Sequence, residues 1–140
     1  MRVFGLLAVS IVLVFTTACN KEDAEPTVES QLIGSWTADS YYYDGEFWEY
    51  YDIFPTVNEY KEDGTGVSTI TGLGEQQFTW SYDATTEKLT INMAFTDFGG
   101  GVTSQETTIV GDITKLDATN LWYTYQDAGV TAEERFVKAN

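Results

Sequence analysis

The sequence predicts an all-β domain in the form of an eight-stranded antiparallel up-and-down barrel. Aromatic residues make up 15% of the 140 residues and charged residues only 21%, a composition that suits half-buried strands. Apolar and polar residues alternate along one segment after another with the period of two that a strand imposes. Short polar turns separate these segments, so consecutive strands are expected to pair antiparallel.

The first predicted strand covers residues 35–43 and opens on Gly34-Ser35-Trp36. Its alternation places one set of side chains on a single face: Trp36, Ala38, Ser40 and Tyr42. A long connection rich in aromatic residues, residues 44–55, follows. The second and third strands, residues 57–61 and 66–71, flank Asp63-Gly64, which is a strong hairpin signal because glycine accepts the positive φ of a tight turn.

The fourth strand, residues 76–83, aligns Phe78, Trp80 and Tyr82 on one face. The fifth, residues 88–95, has the clearest alternation and therefore predicts one dry and one polar face. The last three strands are assigned to residues 104–114, 120–126 and 132–138. Closing eight strands removes exposed edges, and the interior is then either filled by side chains or holds one small ligand.

Charge and composition exclude several classes of function. Acidic residues outnumber basic ones 22 to 7, and the net charge of -15 repels phosphate backbones, so nucleic acid is not expected as a partner. The chain has no histidine and Cys19 is its only cysteine, which removes His-based triads, Cys/His zinc sites and internal disulfides. No catalytic residue, metal site or cofactor is predicted, and the protein is not expected to be an enzyme.

The start of the chain predicts export and lipid attachment. Met1-Arg2 precedes an apolar run over residues 3–15, which is shorter than the roughly 20 residues of a membrane span and suits a signal peptide. Thr16-Thr17-Ala18 then leads into Cys19, which resembles the lipobox of bacterial lipoproteins, although Thr16 stands where those proteins usually have leucine. The resemblance implies a signal peptide at residues 1–18 and acyl chains on Cys19 that hold the protein on a membrane. Ordinary cleavage after Ala18, leaving a free cysteine, is the alternative.

Residues 19–31 are predicted to be an acidic linker, because they contain too few apolar side chains to fold alone. Within it, Lys21-Glu22-Asp23 is similar to the signal that exports lipoproteins of Bacteroidetes to the cell surface. The alternative is that these charges only keep the tether extended. The expected location is the outer membrane, with attachment on the cell surface or on the periplasmic face.

Five motifs in order resemble the lipocalin-like lipoprotein domains of Bacteroidetes, and the resemblance covers residues 32–138. They are Leu32-Ile33-Gly34-Ser35-Trp36, residues 60–66, residues 78–80, residues 89–91, and residues 113–116 with Leu121. The resemblance implies a lipocalin-like barrel at residues 32–140. It also implies that Trp36 closes the barrel floor and that Arg135 lies across its ring, both as structural residues. Arg135 pointing to solvent and pairing with an acid is the alternative.

The first function hypothesis is a non-enzymatic module that binds a small hydrophobic molecule. Its candidate binding residues are Tyr42, Trp48, Tyr51, Phe78, Trp80, Met93 and Tyr123. The aromatic residues of the connection at 44–55 either close over a ligand or pack into the barrel mouth. The second hypothesis is a surface interaction module with a solid barrel, in which the tyrosines at 41–43 and Trp122 bind a protein or a glycan.

Overall fold

The computed structural model describes residues 25–95 and 105–140. The predicted signal peptide, Cys19 and the first part of the predicted linker lie outside the described residues. The described ranges contain nine strands and two short helices. In chain order they are α1 (Val28–Leu32), β1 (Gly34–Tyr43), β2 (Glu46–Trp48), α2 (Tyr50–Ile53), β3 (Thr56–Tyr60), β4 (Thr65–Ile70), β5 (Gly74–Asp83), β6 (Lys88–Phe95), β7 (Gln105–Leu116), β8 (Asn120–Asp127) and β9 (Val130–Lys138).

The strands form a closed antiparallel barrel. From β3 to β9 each strand pairs with the next, β1 pairs with β3, and β9 returns to pair with β1. The short strand β2 pairs with the last three residues of β1, beyond the part of β1 that pairs with β3. It therefore does not belong to the ring. The predicted eight-stranded up-and-down barrel is therefore confirmed, and the predicted strand bounds agree to within one or two residues.

Three short elements were not expected from the alternation pattern. The connection at residues 44–55 contains β2 and α2, and α1 begins inside the segment assigned to the linker. Thr27 caps α1, because its Oγ1 accepts a hydrogen bond from the Ser30 N–H at 3.2 Å. No helix in the described part of the chain combines the length and the apolarity needed to cross a membrane.

A β-bulge in β1 changes which side chains face the interior. The register with β9 shifts between Ala38 and Ser40, so that Tyr41 lies opposite Glu134 and Tyr42 lies opposite Glu133. The extra residue reverses the alternation, because side chains alternate with a strict period of two. The prediction that Trp36 and Tyr42 share one face is therefore wrong: Trp36 faces inward and Tyr42 outward.

The floor of the barrel is built around Trp36. This side chain has no exposed surface, and neither have Leu32 in α1 and Phe136 in β9. The Trp36 Nε1–H donates a hydrogen bond to the Leu32 carbonyl oxygen at 2.7 Å, which fixes α1 across this end of the barrel. The opposite end, with β2, α2 and the turns after β4 and β8, forms the mouth.

The predicted contact between Arg135 and Trp36 is wrong. Ala132, Glu134 and Phe136 are buried on β9, so Arg135 projects from the outer face. There it forms an ion pair with Glu133, as the alternative expected. Its guanidinium also lies 4.4 Å from the ring centroids of Tyr42 and Trp122.

Lys138 takes the place that was predicted for Arg135. Its ammonium group lies 4.1 Å from the centroid of the Trp36 ring and donates a hydrogen bond to the Ile33 carbonyl oxygen at 2.8 Å. The cation over the floor tryptophan is thus a lysine three positions further along β9.

The described residues form a continuous apolar core inside the barrel. The buried apolar side chains run from Leu32 to Phe136, and the partly buried ones that pack against them begin at Val28. Because the ring of strands closes on itself between β1 and β9 within residues 25–140, we expect this part of the chain to fold as one unit.

Candidate functional site

The barrel holds a cavity of about 430 Å³ between its floor and its mouth. All eight strands of the ring contribute to its wall, and β2 and α2 contribute aromatic side chains at the mouth. Its size falls within the range of small-molecule sites. The interior is therefore not the solid core that the second hypothesis assumed.

Five of the seven candidate binding residues line this cavity: Trp48, Tyr51, Phe78, Met93 and Tyr123. Tyr42 does not, because the bulge in β1 turns it outward, and Tyr41 takes the inward position instead. Trp80 does not, because its indole N–H is held at the floor end by the carbonyl oxygens of Lys61 and Thr65, each at 3.1 Å. Ligand binding by the other five stays a prediction.

The most unusual feature of the cavity is the buried carboxylate of Glu134, which is only 9% exposed. Its Oε2 accepts hydrogen bonds from the hydroxyl groups of Tyr51 at 2.7 Å and Tyr123 at 2.9 Å. Its Oε1 accepts one from the Tyr125 hydroxyl at 2.9 Å. Three neutral donors from α2 and β8 therefore surround one carboxylate on β9.

No cation of the described chain neutralises Glu134. Lys88, Lys115 and Arg135 form ion pairs with acids on the outer face, Lys138 lies at the floor, and Lys61 is exposed in the turn before β4. None of these side chains lines the cavity, whereas the acids Glu134 and Asp127 both do. The cavity is thus acidic in character.

Burial keeps the tyrosines around Glu134 neutral. It raises the pKa of Tyr51 and of Tyr123 well above the ordinary tyrosine value, and the negative charge of Glu134 raises both further. The pKa of Tyr125 is raised by the same two causes in the same order. A neutral phenol is a hydrogen-bond donor, so the three hydroxyl groups remain donors to the carboxylate.

The wall across the barrel from Glu134 carries a row of neutral polar side chains. Asn58, Ser68 and Gln76 are direct neighbours on β3, β4 and β5, and all three line the cavity. Gln76 donates to the carbonyl oxygen of Ala94 at 2.8 Å. The Oδ1 of Asn58 and the hydroxyl of Tyr60 are buried with no hydrogen-bond partner in the described residues. Buried polar atoms are usually paired, and these two atoms have almost no accessible surface, so they lie behind the cavity wall.

Aromatic rings close part of the mouth. The rings of Tyr50 and Tyr51 in α2 lie 5.2 Å apart between centroids, and Tyr41 lies 6.1 and 6.4 Å from them. Trp48 on β2 and Tyr50 are each about half exposed, so this edge of the cavity meets solvent. The predicted aromatic connection therefore both packs on itself and lines the cavity.

The aromatic side chains that the second hypothesis assigned to binding a protein or a glycan are largely engaged in contacts within the chain. Tyr41 faces the cavity, and Tyr42 and Trp122 hold the Arg135 guanidinium between them. Lys115 lies over Trp122 as well, 4.4 Å from the ring centroid. In the described ranges no three acidic side chains are placed to hold a metal ion.

Sequence analysis missed Glu134 because nothing in its local pattern marks it as special. Lys138 follows on the same face of β9, so a charge at this period of two does not by itself single out Glu134. Its tyrosine partners come from α2 and β8, so the cluster exists only after the barrel closes.

No family model matches this chain, and no curated protein matches it. Among solved structures, the chain is similar to the crystal structure of a mutant of the fluorescent protein UnaG. The two share 14% sequence identity with a TM-score of 0.46, over 79% of this chain and 97% of the other. A similarity of this degree assigns the chain to no family.

Proposed function

We propose that this protein is a non-enzymatic binding protein that takes a small, largely apolar molecule into the barrel cavity. One observation carries the proposal: the barrel interior leaves about 430 Å³ unfilled beside aliphatic and aromatic side chains. Protein interiors are normally close-packed, with few voids larger than a water molecule. An apolar cavity of this size with a few polar groups is the usual form of a small-molecule site.

The residue types support binding without catalysis. The chain contains no histidine, and its one cysteine, Cys19, precedes the barrel. The polar groups of the cavity are tyrosine, serine and threonine hydroxyls, amides and two acids. In the described residues the Glu134 carboxylate accepts hydrogen bonds only from tyrosines, so it is not arranged as a base beside a serine or threonine nucleophile. Such groups orient a bound molecule.

The protein is further proposed to be a lipoprotein of the outer membrane, anchored by acyl chains on Cys19 and facing the cell surface or the periplasm. The lipobox resemblance and the acidic linker support this anchoring. The described chain enters the barrel through α1 at the floor. A tether attached there places the floor towards the membrane anchor and the mouth away from it. A ligand then reaches the cavity without passing the membrane attachment.

Titration of residues 25–140 with the neutral hydrophobic fluorophore Nile red tests the binding function. We expect saturable binding that Ser68→Phe weakens by about tenfold or more, because the added ring fills the cavity and removes apolar contact area. Thr69→Phe is the matched control, since Thr69 is exposed on the outer face of the same strand. Absence of saturable binding, or equal affinities for the two variants, would refute the proposal.

A further inference from the structure

We infer that the ligand of this cavity carries a positively charged amine, and that Glu134 and the tyrosine rings beside it bind that group. The inference rests on the proposed function, because it names the chemical class of the molecule that the barrel takes. Five features of the described chain support it, beginning with the buried charge of Glu134.

Glu134 is a buried carboxylate without a countercharge in the described residues. Moving an isolated charge out of water is strongly unfavourable unless it is paired or well hydrogen-bonded. Three tyrosine hydroxyls offset part of this cost, but a hydroxyl carries no net positive charge. A ligand cation in the cavity supplies the missing charge.

The carboxylate also has an acceptor position to spare. A carboxylate offers about four acceptor positions, two on each oxygen. Oε2 of Glu134 uses both of its positions on Tyr51 and Tyr123, whereas Oε1 accepts from Tyr125 alone. The remaining position on Oε1 matches one N–H of a protonated amine.

The charges around the cavity also favour a positively charged ligand. Asp127 is a second acid on the cavity wall, and none of the basic side chains in the described chain lines it. The net charge of -15 makes the molecule as a whole attractive to cations. A carboxylate or phosphate head group entering this cavity meets repulsion and no cationic partner.

Aromatic rings complete a cation site at the mouth. Tyr51 binds Glu134 through its hydroxyl, and its ring stands 5.2 Å from that of Tyr50 and 6.4 Å from that of Tyr41. The faces of such rings attract organic cations, most strongly where water is excluded. Rings next to a carboxylate are therefore suited to an ammonium group.

The deeper wall suits the rest of an amine-bearing molecule. Ile91, Ile109 and Phe78 line the cavity and offer apolar contact to the rest of the ligand. The ligand class is thus an apolar molecule with a cationic amine at the end near Glu134.

Competition among three ligands of equal chain length tests the inference. Decylamine, decanol and decanoate are titrated against Nile red bound to residues 25–140 at pH 7, where an alkylamine is protonated as lysine is. We expect decylamine to bind about tenfold or more tightly than decanol, the ratio that one charge-assisted hydrogen bond supplies. Decanoate is expected to bind least well. This measurement needs no altered protein.

Two variants then locate the amine. Glu134→Gln keeps the shape of the side chain and removes its charge, so the preference for decylamine over decanol is expected to disappear. Glu133→Gln is the matched control, because it makes the same charge change one residue away on the outer face. It is expected to leave the preference unchanged.

The outcomes separate this inference from the function it rests on. Equal competition by the three ligands, tighter binding of decanoate, or an unchanged preference in a folded Glu134→Gln protein would overturn the inference while the binding function stands. Failure of Nile red and of every decyl ligand to bind would overturn both.

Discussion

At Glu134 the barrel surrounds a buried charge with side chains that are themselves titratable. Each phenol donates to the carboxylate only while it keeps its proton, so the pH dependence of stability follows from the tyrosines. Burial is the first cause of the raised pKa of Tyr51, Tyr60, Tyr123 and Tyr125, and the charge of Glu134 is the second. Residues from four separate elements therefore share one electrostatic environment.

This environment predicts a steep loss of stability in alkaline solution. Below pH 10 the tyrosines are protonated in both the folded and the unfolded chain, so they do not make the free energy of unfolding depend on pH. Above about pH 10 the unfolded chain releases these protons while the folded chain retains them, so stability falls as pH rises. Each buried tyrosine contributes a slope of up to about 1.4 kcal/mol per pH unit. The lowered pKa of Lys138 acts in the opposite direction, but it is a single group.

Urea unfolding between pH 8 and pH 11.5, together with phenolate absorbance, measures this effect. We expect the phenolate absorbance of the buried tyrosines to appear only with unfolding. Tyr123→Phe is expected to reduce the number of protons released on unfolding by about one, which makes the fall of the free energy of unfolding with pH less steep. Phenolate absorbance that rises fully while the β-sheet circular dichroism is retained would contradict the prediction.

At the scale of elements, α1 acts as the floor of the barrel and not as the end of a tether. Leu32 is fully buried beside Trp36, and its carbonyl oxygen accepts the indole N–H. An exposed helix of five residues has little stability of its own, so its position depends on this packing. The alternation pattern gives no sign of this role, because α1 lies before the first strand.

Leu32→Ala is expected to lower the free energy of unfolding by about 2–5 kcal/mol, because it leaves a cavity beside Trp36 and keeps the backbone hydrogen bond. Leu73→Ala is the matched control: Leu73 is 38% exposed in the turn between β4 and β5, and we expect a change within about 0.5 kcal/mol. Equal midpoints of urea unfolding for the two variants would show that α1 does not close the floor.

At the scale of the whole molecule, the alternation of apolar and polar residues determines most of the barrel. Where the alternation is regular, as in β6, the predicted bounds of residues 88–95 match the structure. Where a bulge interrupts it, as after Ala38, every later side chain in the strand changes face, and the sequence of one strand does not reveal this. The candidate site was predicted only in its aromatic residues and Met93, because the Glu134 cluster joins residues up to 83 positions apart.

The net charge of -15 leads to a prediction for the molecule as a whole. Repulsion among like charges destabilises a compact state, and dissolved salt shortens the range of that repulsion from about 30 Å at 0.01 M to about 3 Å at 1 M. We therefore expect the Tm of residues 25–140 at pH 7 to rise by several degrees between 0.02 and 0.5 M NaCl, equivalent to about 1 kcal/mol. Near the sequence pI of about 4.1 the net charge vanishes, and the same salt should leave the Tm nearly constant. A Tm that is independent of salt at pH 7 would mean that the ion pairs on the outer face, such as Lys88 with Asp112, stabilise the barrel as much as the excess charge destabilises it.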